Sequence, residues 1–426
     1  MLNTDGLGTI QTLQQFNERF EQVMVASSGP RFWGFVTGGT TPASIAGDWL
    51  ASIYDQNPHG IDNYGDVSAL IEKETIQLLL DLFDLPRDFS GGFVTGATMS
   101  NFTGLAVARQ WLGKQLGKDF AKEGVSPADI KIFAATPHSS AIKSLSMLGI
   151  GSANFHTIKT MEGNREAIDV DDLKNNIVQL NGQPFILVSS AGTVNTVDFD
   201  DFETIHQLKN EYRFWWHIDA AFGGFAACSS SYRHLLKDWE HADSIALDCH
   251  KWLNVPYENA FYLIKEKHQL LQLETFQNSN APYLGDPLAD FNYLNFLPEN
   301  SRRLKALPVW FSLIAYGKNG YKDIVEQCIQ MAGLFGDFIQ QDNRLELLAP
   351  VRLNTVCFTL KGDAMQDKVA AFLRLINDTG KVFMTPALYA GRKAIRAAFV
   401  NFRTVDADIH IATAIIDQVL QQIVNV

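Results

Sequence analysis

Between Gly91 and Lys251 the chain repeats one arrangement five times: a short apolar run, long enough for a strand, closes on a polar cluster. The clusters are Thr95 to Thr98, His138, Thr193, Asp219 and the pair His250-Lys251, and helical stretches lie between them. Strand-like runs alternating with helices predict an α/β fold with a largely parallel sheet. Phe185-Ile186-Leu187-Val188 has the unbroken apolar character of a strand buried on both faces. Open sheets of this kind take their ligands outside the carboxyl ends of the strands. Five polar clusters at such ends therefore predict one site.

Two clusters carry most of the chemistry. In Ser244-Ile245-Ala246-Leu247-Asp248-Cys249-His250-Lys251-Trp252 an apolar run presents an amine beside an imidazole, and such an amine forms an imine with a carbonyl. Phe214-Trp215-Trp216-His217-Ile218 ends in the carboxylate of Asp219, followed by the small pair Ala220-Ala221. An amine at one strand end and an acid at another meet the needs of pyridoxal 5'-phosphate, which takes a Schiff-base lysine and an anion for its ring nitrogen. Ala221 is small enough to leave room for a flat ring.

The neighbouring residues each have two readings. Gly96, Ala97 and Thr98 open a helix and form an anion site for the cofactor phosphate, or Thr95 or Thr98 merely caps that helix. His138 lies flat on the cofactor, or belongs to a capping loop with Ser139 and Ser140. Gly192 admits close approach of a ligand or makes an ordinary turn, and Thr193 donates to a substrate carboxylate or to Asp219. Asp248 orients the lysine loop, bonds near the phosphate, or caps the loop.

The 426 residues suffice for one large core and a smaller appended domain. We expect an N-terminal segment at 1–45, a large cofactor domain at 46–300 and a small C-terminal α+β domain at 301–426. A net charge of −12 argues against nucleic acid or an anionic membrane as partner. Cys228, Cys249, Cys328 and Cys357 show neither paired nor CxxC spacing, so no disulfide framework or metal site is expected, and reduced thiols fit the cytoplasm. Met1 to Gln22 has no secretory pattern, and no apolar run approaches the roughly 18 residues of a membrane helix.

Ile10, Leu13, Phe16, Phe20 and Val23 mark an amphipathic helix whose apolar face packs on its own subunit or on a partner. Trp33 and Phe35, with Phe222, are candidates for a pocket wall, an interface or the core. Tyr232 to Trp239 reads as an amphipathic helix, and the turn-rich stretch from about 275 to 300 as a lid or interface loop.

Asp219-Ala220-Ala221-Phe222-Gly223-Gly224, followed by Asp248-Cys249-His250-Lys251-Trp252, resembles the group II pyridoxal-phosphate amino-acid decarboxylases. These act on aromatic amino acids, glutamate, diaminobutyrate and histidine. Gly92 to Asn101, His138-Ser139-Ser140, Gly192-Thr193, Ser301-Arg302-Arg303 and Arg396 through Thr404 fit the same pattern, and the likeness covers most of the chain.

The resemblance implies a fold type I transferase architecture, a homodimer with sites near its interface, and decarboxylation of an L-amino acid to an amine and CO2. By the same resemblance Lys251 forms the Schiff base, Asp219 pairs with the ring nitrogen, and His138 stacks on the ring with Ala221 opposite. Gly96, Ala97, Thr98 and His250 hold the phosphate or its surroundings, and Thr193 touches Asp219 or the substrate carboxylate. Tyr293 falls where the family carries a proton-donating tyrosine on a mobile loop; phenylalanine there goes with aldehyde-forming relatives. The N-terminal segment is shorter than in the animal enzymes, and Asp248-Cys249 departs from their residues. Competing readings are a carbon–carbon lyase of the sphingosine-phosphate-lyase type, an aminotransferase with Arg396 on the substrate carboxylate, an oxidative aldehyde synthase, and a cofactor-binding regulator without activity.

Overall fold

The computed structural model describes residues 2, 4–60, 66–126, 130–277 and 291–424. Most of the stretch expected to form a lid, residues 278–290, lies outside them.

Seven strands form the large sheet: β1 (Phe89–Val94), β2 (Ile132–Ala134), β3 (His156–Thr157), β4 (Phe185–Ser190), β5 (Phe214–Asp219), β6 (Ser244–Asp248) and β7 (Ala260–Lys265). Their order is β1-β7-β6-β5-β4-β2-β3. Strands β2 to β6 run parallel, and β7 is antiparallel to both β1 and β6. Every residue of β4, β5, β6 and β7 is buried, which is why their sequences are continuously apolar rather than alternating. The register sets Ser190 beside Asp219, and Asp219 beside Ala246. Three neighbouring strands thus deliver their carboxyl ends to one edge.

In chain order the helices are α1 (Thr9–Arg19), α2 (Pro42–Tyr54), α3 (Ser68–Phe83), α4 (Ala97–Gln115), the single turn α5 (Phe120–Glu123), α6 (Ser139–Met147), α7 (Val170–Gln179), α8 (Phe202–Glu211), α9 (Gln269–Phe276), α10 (Ala306–Gln341), α11 (Val369–Asp378) and α12 (Asp406–Val424). Local chemistry starts several of them. Asp169 accepts from the N–H groups of Asp171 and Asp172 at the head of α7, and Asp201 does the same for Thr204 at α8. Helix α4 packs across β5, β6 and β7.

A second, antiparallel sheet of β8 (Leu345–Leu347), β9 (Thr355–Leu360), β10 (Thr385–Tyr389) and β11 (Arg392–Ala398) is ordered β10-β11-β9-β8. Helix α10 ties the layers together: it packs on α2 and α3 and on β8, β9 and α12, with a break at Gly317, where φ is +57°. The main core is continuous from Trp216 and Ile245 to Phe335 and Phe358.

Two details differ from expectation. The boundary drawn at 45 runs through α2, because the Thr41 hydroxyl caps that helix and Pro42 opens it. Residues 232–239 form no α-helix; Asp238 adopts a left-handed conformation (φ +68°) that separates two short 3-10 helices, Arg233–Leu236 and Trp239–His241. Helix α1 has the expected apolar stripe, yet none of its residues is buried within the chain.

One buried ion pair holds the strand-end edge to the segment before α10. Arg302 Nη1 lies 2.7 Å from Glu72 Oε1, both side chains being almost wholly inaccessible, and the same carboxylate oxygen accepts from Phe93 N–H at 2.9 Å. Replacing Arg302 by Met should leave an uncompensated buried charge and cost about 3–5 kcal/mol. Urea unfolding followed by circular dichroism checks this, and a loss below about 1 kcal/mol, the usual value for an exposed pair, would contradict it.

Candidate active site

A cleft of about 180 Å3 lies at the carboxyl ends of β4, β5 and β6, and its lining includes His138, Thr193, Asp219, Ala221, Lys251 and Arg396. Phe35, Val36 and Phe222 supply apolar walls. Four of the five predicted strand-end clusters therefore meet in one place. Trp33 does not join them: it is 1% exposed and packs on Phe335 and Phe399 in the core.

Lys251 sits in the loop after β6, and its Nζ is 5.7 Å from the centroid of Phe222. The loop before α2 presses on it from behind. Gly38 N–H donates to His250 O at 3.2 Å, and a methyl on Gly38 would fall 1.6 Å from Lys251 O. Only glycine fits there. Asp248 stiffens the loop: its Oδ1 lies 2.6 Å from His250 Nδ1 and accepts from His250 N–H at 3.2 Å, while its Oδ2 accepts from Ala97 N–H at 3.1 Å. Of the three readings of Asp248, these contacts favour the loop-orienting one.

Gly96, Ala97 and Thr98 open α4 with no side-chain cap, so the capping alternative is not realised. They stand beside His250 rather than in the lining of the cleft: a methyl at Gly96 would lie 3.8 Å from His250 Cε1. His250 packs against Tyr257, with ring centroids 4.0 Å apart and planes tilted by 31°.

Asp219 is 7% exposed and takes two donors, Asn101 Nδ2 at 2.9 Å and Ala221 N–H at 3.2 Å. Thr193 is not among them. Its hydroxyl donates to Glu166 Oε2 at 2.7 Å, and that oxygen also accepts from the Thr196 hydroxyl and N–H. Glu166 is drawn in by its neighbour Arg165, which forms a two-pronged contact with buried Asp198. Thr193 thus holds the turn after β4 while lining the cleft.

His138 realises the capping reading and also lines the cleft. It caps α6, accepting at Nδ1 from Ser140 N–H at 3.1 Å, and its ring faces the cleft. Burial is the main cause holding its pKa below that of free histidine; Lys251 and Arg396 push the same way, and Asp219 and Asp248 oppose them. Arg396, on β11, brings a second cation to the cleft. It donates from Nη1 to Val194 O at 2.8 Å, while its buried Nε has no partner among the described residues.

Tyr293 is elsewhere. It is 2% exposed, under Arg302, whose guanidinium carbon is 4.6 Å from its ring centroid, and edge-on to Phe291. Burial raises its pKa well above that of free tyrosine. The resemblance placed it on a catalytic loop, but in this chain it is a core residue outside the cleft lining, because Arg302 and Phe291 enclose it.

Sequence reasoning missed Asn101 and His217. His217 is two residues before Asp219 on one strand, so both project to the same face. That periodicity was the available signal; Asn101 arrives from α4 and had none. Outside the cleft, His206, Asp238 and His241 come together, but the imidazoles stack face to face at 3.7 Å. Their in-plane lone pairs then run in parallel planes instead of converging on an ion.

An amine, a carboxylate, a small residue, an imidazole and a guanidinium with a free N–H form a donor set that fits pyridoxal phosphate and an amino acid. The comparisons with known proteins agree. The model of the pyridoxal-dependent decarboxylase conserved domain matches residues 9–361. L-tyrosine/L-DOPA decarboxylase 2 of Lophophora williamsii is 25% identical over 407 residues, 87% of this chain and 76% of the relative. A phenylacetaldehyde synthase of a Rosa hybrid cultivar is 26% identical, with 87% and 76% covered. The crystal structure of Catharanthus roseus tryptophan decarboxylase in complex with L-tryptophan superposes with a TM-score of 0.87 at 21% identity, covering 99% of this chain and 90% of that one, and shares its fold.

His217 is fully buried, and that burial lowers its pKa to about 4. Its unfolded value is about 6.5. Its stabilising contribution is whole above about pH 6.5 and fades as pH falls toward 4, where the unfolded chain alone takes up the proton. Across that window the effect is roughly 3 kcal/mol. Urea titrations near pH 7 and pH 4.5 should show His217→Gln losing less stability on acidification than the wild type; equal losses would contradict the assignment.

Proposed function

Because the chain belongs to the pyridoxal-dependent decarboxylase family, whose chemistry is the removal of CO2 from an amino acid, we propose that its substrate is an aromatic L-amino acid, converted in the cleft around Lys251. One observation carries the reading: Lys251, Asp219, His138 and Arg396 line a single cavity whose other walls include Phe35, Val36 and Phe222. The curated relatives named above act on aromatic substrates, in keeping with those walls.

Lys251 would hold the cofactor through its amine, Asp219 would face the ring nitrogen, and His138 and Ala221 would flank the ring. When bound, the cofactor supplies a positively charged ring that takes up the electron pair left as CO2 departs. The carboxylate of Asp219 favours the protonated state of that nitrogen. Arg396, which lines the cleft, would pair its guanidinium with the substrate carboxylate, a charge-assisted contact. His138, kept neutral by burial, adds little positive charge beside the ring. Phe35, Val36 and Phe222 exclude water and take an apolar side chain.

The working unit is a homodimer in this reading. Ile10, Leu13 and Phe16 form a stripe that none of the described residues buries, and Trp49, Ile53 and Tyr54 on α2 are exposed as well. Among the described residues no helix is long and apolar enough to cross a membrane. The four cysteines are unpaired, as a reducing cytoplasm would keep them.

Incubation of the purified enzyme with pyridoxal phosphate and a panel of L-amino acids should release CO2 and the corresponding amine, fastest with tryptophan, tyrosine, phenylalanine or dihydroxyphenylalanine. An aldehyde or keto acid as main product would refute the reaction, and a preference for glutamate would refute the substrate class. Lys251→Ala should lose the visible absorbance of bound cofactor, and retention of that band would exclude Lys251 as its anchor. Sedimentation equilibrium should give twice the mass of the 426-residue chain, and deletion of residues 2–25 should weaken the dimer; a monomer at micromolar concentration would refute it.

A further inference from the structure

Behind the cleft, seven side chains form one hydrogen-bonded network. Trp215 Nε1 lies 2.9 Å from Ser244 Oγ, which is 2.8 Å from His217 Nδ1. His217 Nε2 is 2.8 Å from Asn101 Oδ1. Asn101 Nδ2 reaches Asp219 Oδ2 at 2.9 Å and Ser140 Oγ at 3.0 Å, and Ser140 Oγ is 2.7 Å from His138 Nδ1. Trp215, Asn101, His217 and Ser244 are wholly buried, so no water competes.

The direction of every bond follows from donor and acceptor capacity. The Asp219 carboxylate accepts from Ala221 N–H and takes its other donor from the Asn101 amide. The flipped amide would set oxygen against oxygen, so the charge on Asp219 fixes the orientation of Asn101. Asn101 Oδ1 then accepts, which makes His217 Nε2 the donor. His217 is neutral, its pKa being held near 4 by burial, so its Nδ1 is bare and accepts the Ser244 hydroxyl. That hydroxyl takes its own donor from Trp215, which can only donate. At the other end Ser140 N–H donates to His138 Nδ1, which must therefore be bare, and Ser140 Oγ, accepting from Asn101, turns its own proton to the same nitrogen.

We propose that Asn101 and His217 are positioning residues of the site: they supply Asp219 with the donor that orients it and, by engaging Ser140 Oγ, reinforce the tautomer of His138 that carries its proton on Nε2. His138 Nε2 makes no hydrogen bond among the described residues, so its proton is free for the cofactor or substrate. The packing has been shaped around this network. A methyl on Gly104, inside α4, would lie 2.8 Å from His217 Cε1 and 2.9 Å from its Nδ1. Glycine in a helix interior is unfavourable unless something needs the space. Besides Asp219, the charged groups bearing on His138 are Lys251, Arg396 and Asp248.

The role given to Asp219 rests on the reading of the cleft as a pyridoxal-phosphate site, whereas the tautomer of His138 does not. The test therefore has two readouts on the full-length chain: nitrogen-15 NMR of labelled histidines before cofactor is added, then the dissociation constant for pyridoxal phosphate. The wild type should show His138 in the Nε2–H form alone. His217→Leu and Asn101→Asp should show mixed tautomers and bind cofactor roughly ten- to a hundred-fold more weakly, the worth of one hydrogen bond to a charged group. His217→Gln, which keeps a donor near the Nε2 position, should restore both. If His217→Leu does not fold, the near-isosteric Asn101→Asp carries the comparison. A pure Nε2–H signal with unchanged affinity in Asn101→Asp would overturn the proposal, as would equal behaviour of the Gln and Leu variants. Failure of the wild type to bind pyridoxal phosphate would instead sink the reading of the cleft.

Discussion

Asp219 is a carboxylate placed at the end of a fully buried strand, and a buried anion without donors is among the most destabilising features a protein interior can contain. The fold answers with one backbone N–H from Ala221 and one side-chain N–H from Asn101. The second donor is the costly one to arrange, since it must be carried in on a different element. It requires α4 to lie across β5 at one height and one rotation. Gly104, one turn beyond Asn101 on the same face, then clears space for His217. The demand of a single charge thereby settles how a 19-residue helix seats on the sheet. It also settles where the N-terminus of that helix stands, which is beside His250.

The strand order turns this local arrangement into a site. Strand β5 lies between β4 and β6 and parallel to both, so the turn bearing Thr193, the Asp219 carboxylate and the loop bearing Lys251 emerge side by side. This much was readable from the amino acids. A strand buried on both faces is apolar along its length, and the position where that character stops is the position where the sheet meets the cleft. What could not be read is anything fixed by residues far apart in the chain. Thr193 turns toward Glu166, which comes from the segment before α7, and Tyr293 lies under Arg302, which is itself held by Glu72 on α3. The stripe on α1 announces an apolar face without saying what covers it. His217 was visible in the sequence but passed over, because an imidazole inside an apolar run looks like core until its partner is known.

The C-terminal layer completes the cleft. Arg396 leaves β11 and reaches across to Val194 O in the turn after β4, and Asn195 in that turn donates to Leu388 O on β10. Arg352, just before β9, adds an ion pair to Asp198 at 3.5 Å. The turn that carries Thr193 is therefore clasped from both sides, by Glu166 and Asp198 of the large sheet's surroundings and by the small sheet. Moving one layer against the other would displace Arg396 and Thr193 together. The position of the Arg396 guanidinium and the shape of the cleft wall are coupled for that reason.

The loop that closes the cleft on the remaining side is held in a conformation its residues do not favour. Phe35 and Val36 have φ of +56° and +60°, in the left-handed region, where a β-branched residue such as Val36 is a marked outlier. Strain of that kind persists only where the surroundings over-determine it. Here they do so through backbone bonds on both flanks. Trp33 N–H donates to Phe383 O, Phe383 N–H to Arg31 O and Ala398 N–H to Trp33 O, while Gly38 and Thr41 are tied to the lysine loop through His250 O and Asn254 O. Trp33, buried on Phe335 and Phe399, anchors the near end in the core. The two strained residues lie between these fixed points, and both line the cleft. A relaxed loop would have to give up either the Trp33 anchor or the contact with Lys251. The backbone is therefore bent where an apolar wall is needed, and the core and the lysine loop together keep it there.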